Sequence, residues 1–278
     1  MKVLITGSNG MLGHDLIDVL DGKHELIKTT SKSLDITDED KVKDYIVNEN
    51  PDIVINSAAY TDVDGCETNE EIAYKVNGEG VKNLALACKV VDCPLLHIST
   101  DYVFNGENNK PWMEDDEVGP ISIYGKSKLQ GEEAIESILD NFFIIRTSWL
   151  YGINGGNFPK TMLELAKTHD TLTVVTDEIG TPTYTLDLAQ AIAELIETEY
   201  YGIYHITNSD YCSWFDFAKY IFEVKNIDVN VVPVTAEEFA RPASRPHYSV
   251  LNNSNWVNNG FKPLRSYKEA IKDYLKHL

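Results

Sequence analysis

Apolar positions along the chain fall into two rhythms. In Val3-Leu4-Ile5, Ile53-Val54-Ile55, Leu95-Leu96-His97-Ile98 and Phe142-Phe143-Ile144-Ile145, apolar side chains occupy both phases of the strand alternation. Such runs read as strands covered on both faces, and a further strand is expected over 25–29. Between them the spacing turns helical, at Leu16, Ile17, Val19, Leu20, then Val42, Tyr45, Ile46, then over a long stretch from 70 to 91. Leu129, Ala134, Ile135 and Ile138 repeat the pattern. Strand and helix alternate to about residue 150, which predicts an α/β fold with a doubly wound parallel sheet and right-handed crossovers.

Residues 151–278 are less regular and read as a smaller C-terminal α/β lobe, some segments of which return to the first domain. Helices are expected near 158–166, 186–196, 214–224 and 267–275, with strands at 172–175 and 203–207. Long polar loops at 176–183 and 240–246 suit the substrate side of a cleft. No repeat or low-complexity linker separates the halves.

Composition narrows the partners. The formal net charge is −20 over 278 residues, a surface that repels phosphate backbones and anionic lipid and argues against nucleic-acid or membrane binding. Cys66, Cys88, Cys93 and Cys212 form neither a disulfide framework nor a Cys-x-x-Cys pair. Together with a first strand that begins at Lys2 and no apolar run of membrane-spanning length, they suggest a cytoplasmic protein with reduced thiols.

The first strand leads into Gly7-Ser8-Asn9-Gly10-Met11-Leu12-Gly13 and then into a helix. Strand, glycine turn and helix are the setting in which backbone amides at a helix N-terminus receive a dinucleotide pyrophosphate, the Rossmann arrangement. Around 20 residues further on, an NAD site offers an acidic residue to the ribose. Here the chain has Thr29-Thr30-Ser31-Lys32-Ser33, whose hydroxyls and Lys32 suit a 2′-phosphate, so NADPH is favoured over NADH. Asp35 and Ile36 follow this loop, and Ala58-Ala59-Tyr60 ends the third strand with the small residues a ligand needs. The fourth strand ends in hydroxyls, Ser99-Thr100. Asn77 interrupts a helix where Asn is a mediocre former, which suggests a hydrogen-bonding role.

Tyr124 and Lys128 lie four apart and so share a helix face. A fixed ammonium beside a phenol favours the phenolate, which makes Tyr124 a usable proton donor or acceptor. Chance alone supplies about one Tyr-x-x-x-Lys in a chain this rich in both, so the motif means nothing without its context.

In this order, the glycine motif, Ser99-Thr100 and Tyr124-x-x-x-Lys128 resemble the extended short-chain dehydrogenase/reductases. More closely, Asn56-Ser-Ala-Ala-Tyr60-Thr, Ser99-Thr-Asp-Tyr-Val-Phe104, Tyr124-Gly-Lys-Ser-Lys128, Arg146-Thr-Ser-Trp149, Thr181-Pro-Thr183 and Arg241-Pro-Ala-Ser-Arg-Pro246 resemble the dTDP-4-dehydrorhamnose reductase family. The resemblance implies NAD(P)H-dependent reduction of a 4-keto group on a dTDP-linked 6-deoxyhexose. Tyr124 would be the proton donor, Lys128 its tuner and ribose ligand, Thr100 a hydrogen-bond donor to the carbonyl, and Asn77 the support of a relay water. Tyr102 and Trp149 would line the sugar site, while Arg241 and Arg245, two of only four arginines, would face the diphosphate. Some relatives hold Mg²⁺ between the subunits of a homodimer, and Asp15 on the first helix is the matching acid. Two rival readings on the same fold are another nucleotide-sugar ketoreductase or epimerase, and a non-catalytic NADP-binding regulatory subunit of the methionine adenosyltransferase type. A 4,6-dehydratase would carry Glu where this chain has Tyr102.

Overall fold

A computed structural model describes all 278 residues. Strand β1 (Lys2–Thr6) runs into helix α1 (Met11–Leu20), followed by β2 (Glu25–Lys28), α2 (Glu39–Glu49) and β3 (Ile53–Asn56). Helices α3 (Val63–Thr68), α4 (Glu70–Tyr74) and α5 (Gly80–Val91) precede β4 (Leu95–Thr100), α6 (Ile123–Ile138) and β5 (Phe142–Thr147). These five strands and Gly202–His205 form one parallel sheet, ordered from the edge β2-β1-β3-β4-β5 and then 202–205. The doubly wound sheet expected from the strand patterning is therefore present, and its order reverses between β1 and β3, the place where such sheets open a crevice.

Alternation along each strand explains the two apolar phases. Val3 and Ile5 join Ile53, Ile55, Leu96 and Ile145 in a core under α1 and the helix Thr185–Leu195. Leu4 joins Val54, Leu95 and Ile144 on the other face, under α2, α5 and α6. His97, two residues from Leu95, points to that second face, where α6 lies over it. Residues after 150 build small two-stranded sheets, the longest pairing Thr171–Val175 with Asn230–Val234 beneath the helix Trp214–Lys225. The strand at 230–234 was not foreseen, because its partly exposed Asn-Val-Val-Pro-Val carries a proline and little alternation.

The expected long helix over 70–91 is broken. A π-helical turn, Lys75–Glu79, separates α4 from α5 and holds the fully buried Asn77. The cause is side-chain demand: Asn77 turns inward to bond the Tyr60 backbone, and the wider turn aims it there. Residues 63–68 form α3, capped by the Asp62 carboxylate accepting from Gly65 N–H. All four cysteines are buried and free. No helix is long and apolar enough to cross a membrane.

Helix α6 is tied to the sheet by a buried ion pair. Arg146 of β5 donates to Glu132 at 2.7 Å, and the Ser99 hydroxyl of β4 donates to the same carboxylate. Removing one partner would strand the other charge without water. Arg146→Met is expected to destabilise the protein by about 3–5 kcal/mol, read from the urea midpoint at unchanged slope.

Candidate active site

The glycine turn after β1 lies against the end of β3. Gly7 has φ +65°, and a Cβ there would meet the Ala58 amide nitrogen at 2.7 Å. A Cβ on Gly13 would run into the Gly7 carbonyl. Both positions must be bare for strand, turn and helix to come this close. Gly10 stands at the N-cap of α1 without a side-chain cap, so the first amides of the helix remain free to receive an anion. Beside them opens a cavity of about 320 Å³, lined by Gly7, Asn9, Gly10, Asp35, Ile36, Ala58, Ala59 and Tyr60. The free amides beside it suit the pyrophosphate of a dinucleotide.

Several nearby positions differ from expectation. Ser8 is buried, with its N–H on the Thr29 carbonyl. Met11 and Leu12 open α1, and Leu12 belongs to the core. Thr30 N–H is spent on Ser33 Oγ, and Lys32 is exposed outside the cavity, whereas Ser31, Leu34, Thr37 and Ser57 line it. Ser31 and Ser57 belong to stretches the sequence already singles out, whereas Leu34 and Thr37 carry no motif and only the fold places them here. Asp35 accepts from the backbone and hydroxyl of Thr37. Ser99 faces Glu132 rather than the cavity, because alternation puts it on the opposite face of β4 from Thr100.

Thr100 ends β4 and Tyr124 opens α6, with Ser122 as its cap. The Tyr102 ring meets the Tyr124 ring edge-on at 5.6 Å. A Cβ on Gly125 would strike the Tyr102 carbonyl, so that glycine lets the helix start press against the loop after β4. Asn77 accepts from Tyr60 N–H at 2.8 Å and donates to the Tyr60 carbonyl and to Ser127 Oγ, both at 3.0 Å. Both its donors and one acceptor site go to joining the loop after β3 to α6.

The tuning expected of Lys128 is not seen. Burial pushes the Tyr124 phenol well above its ordinary value, and the neighbouring Thr100 hydroxyl offsets this only in part. Lys128 is almost wholly buried, donates to the Ile98 carbonyl at 2.6 Å and contacts His97 Nε2 at 3.1 Å. Burial lowers its own pKa to about 7. Without its full charge, the amine does little to favour a phenolate. Asp101 is also buried, which pushes its carboxyl up to about 7 despite a 3.0 Å bond from Thr100 Oγ1. His97 lies in no motif, and Asp101, though inside the Ser99–Phe104 block, had no role that its sequence alone suggested.

On the substrate side Trp149, at φ +48°, stacks on Trp214 at 3.4 Å, and Trp214 donates to Glu178. The two loop arginines do not act as a pair. Arg245 forms a two-pronged bond to Asp64 at 3.0 and 3.1 Å, while Arg241 is exposed over the Phe239 ring. Both border a cavity of about 590 Å³ with Glu178 and Asn105. A cavity of about 640 Å³ elsewhere holds none of these residues, and its Arg265 is bound to Asp187 and Asp273. Asp15 departs from the Mg²⁺ expectation. It is buried in α1, burial raises its pKa, and no group of three or more His, Cys, Asp or Glu side chains gathers anywhere to hold a metal.

The family model for the RmlD substrate binding domain matches residues 1–278. The spore coat polysaccharide biosynthesis protein SpsK of Bacillus subtilis is 45% identical over 276 residues, 99% of this chain and 97% of that protein. The crystal structure of a dTDP-4-dehydrorhamnose reductase from Clostridium acetobutylicum superposes with TM-score 0.98 at 48% identity, covering 100% of this chain and 99% of that one. That of dTDP-4-dehydrorhamnose reductase from Bacillus anthracis in complex with NADP gives TM-score 0.98 at 42% identity, with the same coverage.

Because Gly7 has no room for a side chain, Gly7→Ala is expected to weaken NADPH binding at least about tenfold, measured by fluorescence titration on protein that still unfolds cooperatively.

Proposed function

The chain belongs to the family of the RmlD substrate binding domain, and on that premise we propose that it reduces the C4 keto group of dTDP-4-dehydro-L-rhamnose with NADPH, giving dTDP-L-rhamnose. The observation that carries the reading is the meeting of Thr100 and Tyr124 at the end of β4, with the glycine cradle of β1 and α1 across the crevice. When bound, the cofactor supplies the hydride. Gly7, Gly10, Asn9 and the free amides of α1 hold its pyrophosphate, and Ala58 and Ala59 leave space for it. Exposed Lys32 and the hydroxyls of Thr30 and Ser31 meet a 2′-phosphate, and Asp35, already bonded to Thr37, is the nearest acid in that loop. Lys128 binds the nicotinamide ribose.

The raised pKa of Tyr124 suits an acid. A phenol that holds its proton through the neutral range gives it up only when a stronger base, the alkoxide forming at C4, lies against it. The Thr100 hydroxyl, which otherwise donates to Asp101, turns to the same oxygen and fixes the carbonyl while charge develops. Asn77 keeps Tyr60 and α6 at a constant distance. Trp149 and Tyr102 flank the sugar, and Arg241, exposed and without an acidic partner within 4.0 Å, meets the diphosphate; Arg245 holds the loop through Asp64.

The decisive assay follows NADPH and NADH oxidation with dTDP-4-dehydro-L-rhamnose made in situ. Oxidation of NADPH is expected, and none with either cofactor would leave a binding-only protein as the better reading. Tyr124→Phe is expected to keep NADPH binding and lose turnover by about 10²–10⁴-fold. Arg241→Ala is expected to raise KM for the nucleotide sugar about tenfold with kcat little changed, as judged from initial rates.

A further inference from the structure

Behind Tyr124 the four buried side chains of Thr6, Asn56, His97 and Lys128 make one chain of hydrogen bonds out of reach of water. The Ala58 N–H, which can only donate, lies 3.2 Å from Asn56 Oδ1, and the Thr6 hydroxyl lies 2.6 Å from the same oxygen. The Ala58 contact orients the Asn56 amide, and the Thr6 hydroxyl, able to donate or accept, donates to the oxygen so placed. The Asn56 nitrogen, also only a donor, then faces His97 Nδ1 at 2.9 Å. His97 Nδ1 must accept, so the single proton of the neutral ring sits on Nε2. Nε2 in turn faces Lys128 Nζ at 3.1 Å. An ammonium has no lone pair and would meet Nε2–H hydrogen to hydrogen, whereas a neutral amine accepts it and still donates to the Ile98 carbonyl. Asn56 and His97 are fully buried and Lys128 is 1% exposed, so solvent cannot relieve the conflict.

We propose that His97 is a positioning residue that holds Lys128 as a neutral amine in the cofactor-free protein, and that cofactor binding takes up one proton to make the ammonium. This rests on the reading of Lys128 as the ribose ligand. The proton comes from solvent and lands on Nζ, which then leaves His97 for the ribose hydroxyls. His97 keeps its own proton on Nε2, and no other bond changes.

The surroundings agree. Burial lowers Lys128 to about 7 and holds His97 well below the usual imidazole range. Glu132, one turn along α6, pulls the other way, but Arg146 from β5 and Ser99 from β4 already share its carboxylate. From β1, β3 and the π turn the facing groups are the neutral Thr6, Asn56 and Asn77. Toward the cleft stand the Tyr124 phenol, the Cys66 thiol, pushed up to about 11, and Asp101, pushed up to about 7. Asp101 alone among them titrates in the same range, so it needs a control.

Calorimetric titration with NADPH at pH 8, in buffers of different ionisation enthalpy, counts the protons taken up. Uptake of about one is expected, with affinity falling about tenfold per pH unit above the Lys128 pKa. His97→Gln offers an amide oxygen to an ammonium, and Asn56→Asp lets His97 Nδ1 donate; each should lose the uptake and flatten the slope. Asp101→Asn should keep both. Zero uptake in the unaltered protein, a slope that survives in both variants, or a slope lost in Asp101→Asn would overturn the proposal. Because both variants alter buried groups, the tautomer is also read directly from long-range ¹H–¹⁵N correlations of the histidines in the unaltered, ligand-free protein. A proton on Nε2 of His97 supports the proposal, and one on Nδ1 refutes it. Neither measurement uses the sugar or turnover, so a failed reductase assay and a failed proton count are separate results.

Discussion

A strand covered by helices on both faces can present polar side chains to a ligand only where it ends. β1, β3 and β4 are such strands, with Val3, Leu4, Ile5, Ile55 and Leu96 all fully buried. Polar side chains gather at their carboxyl ends: Thr6, then Asn56 and Ser57, then Ser99 and Thr100. Because the sheet order reverses between β1 and β3, these ends are pulled apart into a crevice instead of being roofed by a crossover. The glycine turn, Tyr124 and the hydrogen-bonded chain behind it all depend on that one edge.

The same alternation separates two kinds of polar residue on β4. Thr100 faces the crevice, where it can meet a reacting oxygen. His97 and Ser99 face α6 and are spent on Lys128 and Glu132. A helix carrying a buried lysine and a buried glutamate on one face would be costly alone. Here each finds partners on the strands beneath, with Arg146 balancing Glu132, and with Lys128 bonded to the Ile98 carbonyl and His97. The helix that positions Tyr124 is therefore placed by the groups that set its electrostatics.

The substrate side is built differently. Trp149 on Trp214, Arg245 on Asp64 and Arg241 on Phe239 are loop contacts between side chains far apart in sequence. They hold the cleft wall, with Arg245 serving as a strut and Arg241 exposed over an aromatic ring. Two arginines in one short loop looked equivalent as sequence, and their different neighbours make them unlike.

Local pattern by itself determined much of this protein. The doubly apolar runs dictated strands buried on both faces, the glycines at 7, 10 and 13 dictated a bare turn before a helix, and the four-residue spacing put Tyr124 and Lys128 on one face. Those features follow from backbone geometry and burial, which neighbouring residues settle among themselves. Only the tertiary structure decided the rest: that the helix over 70–91 opens into a π turn around Asn77, that Ser99 serves Glu132, that Asp15 has no companions to hold a metal, and that Lys128 meets His97. The reason is physical. A hydrogen bond or charge state inside a core depends on which donors and acceptors arrive from other elements, and one strand's spacing carries no record of them.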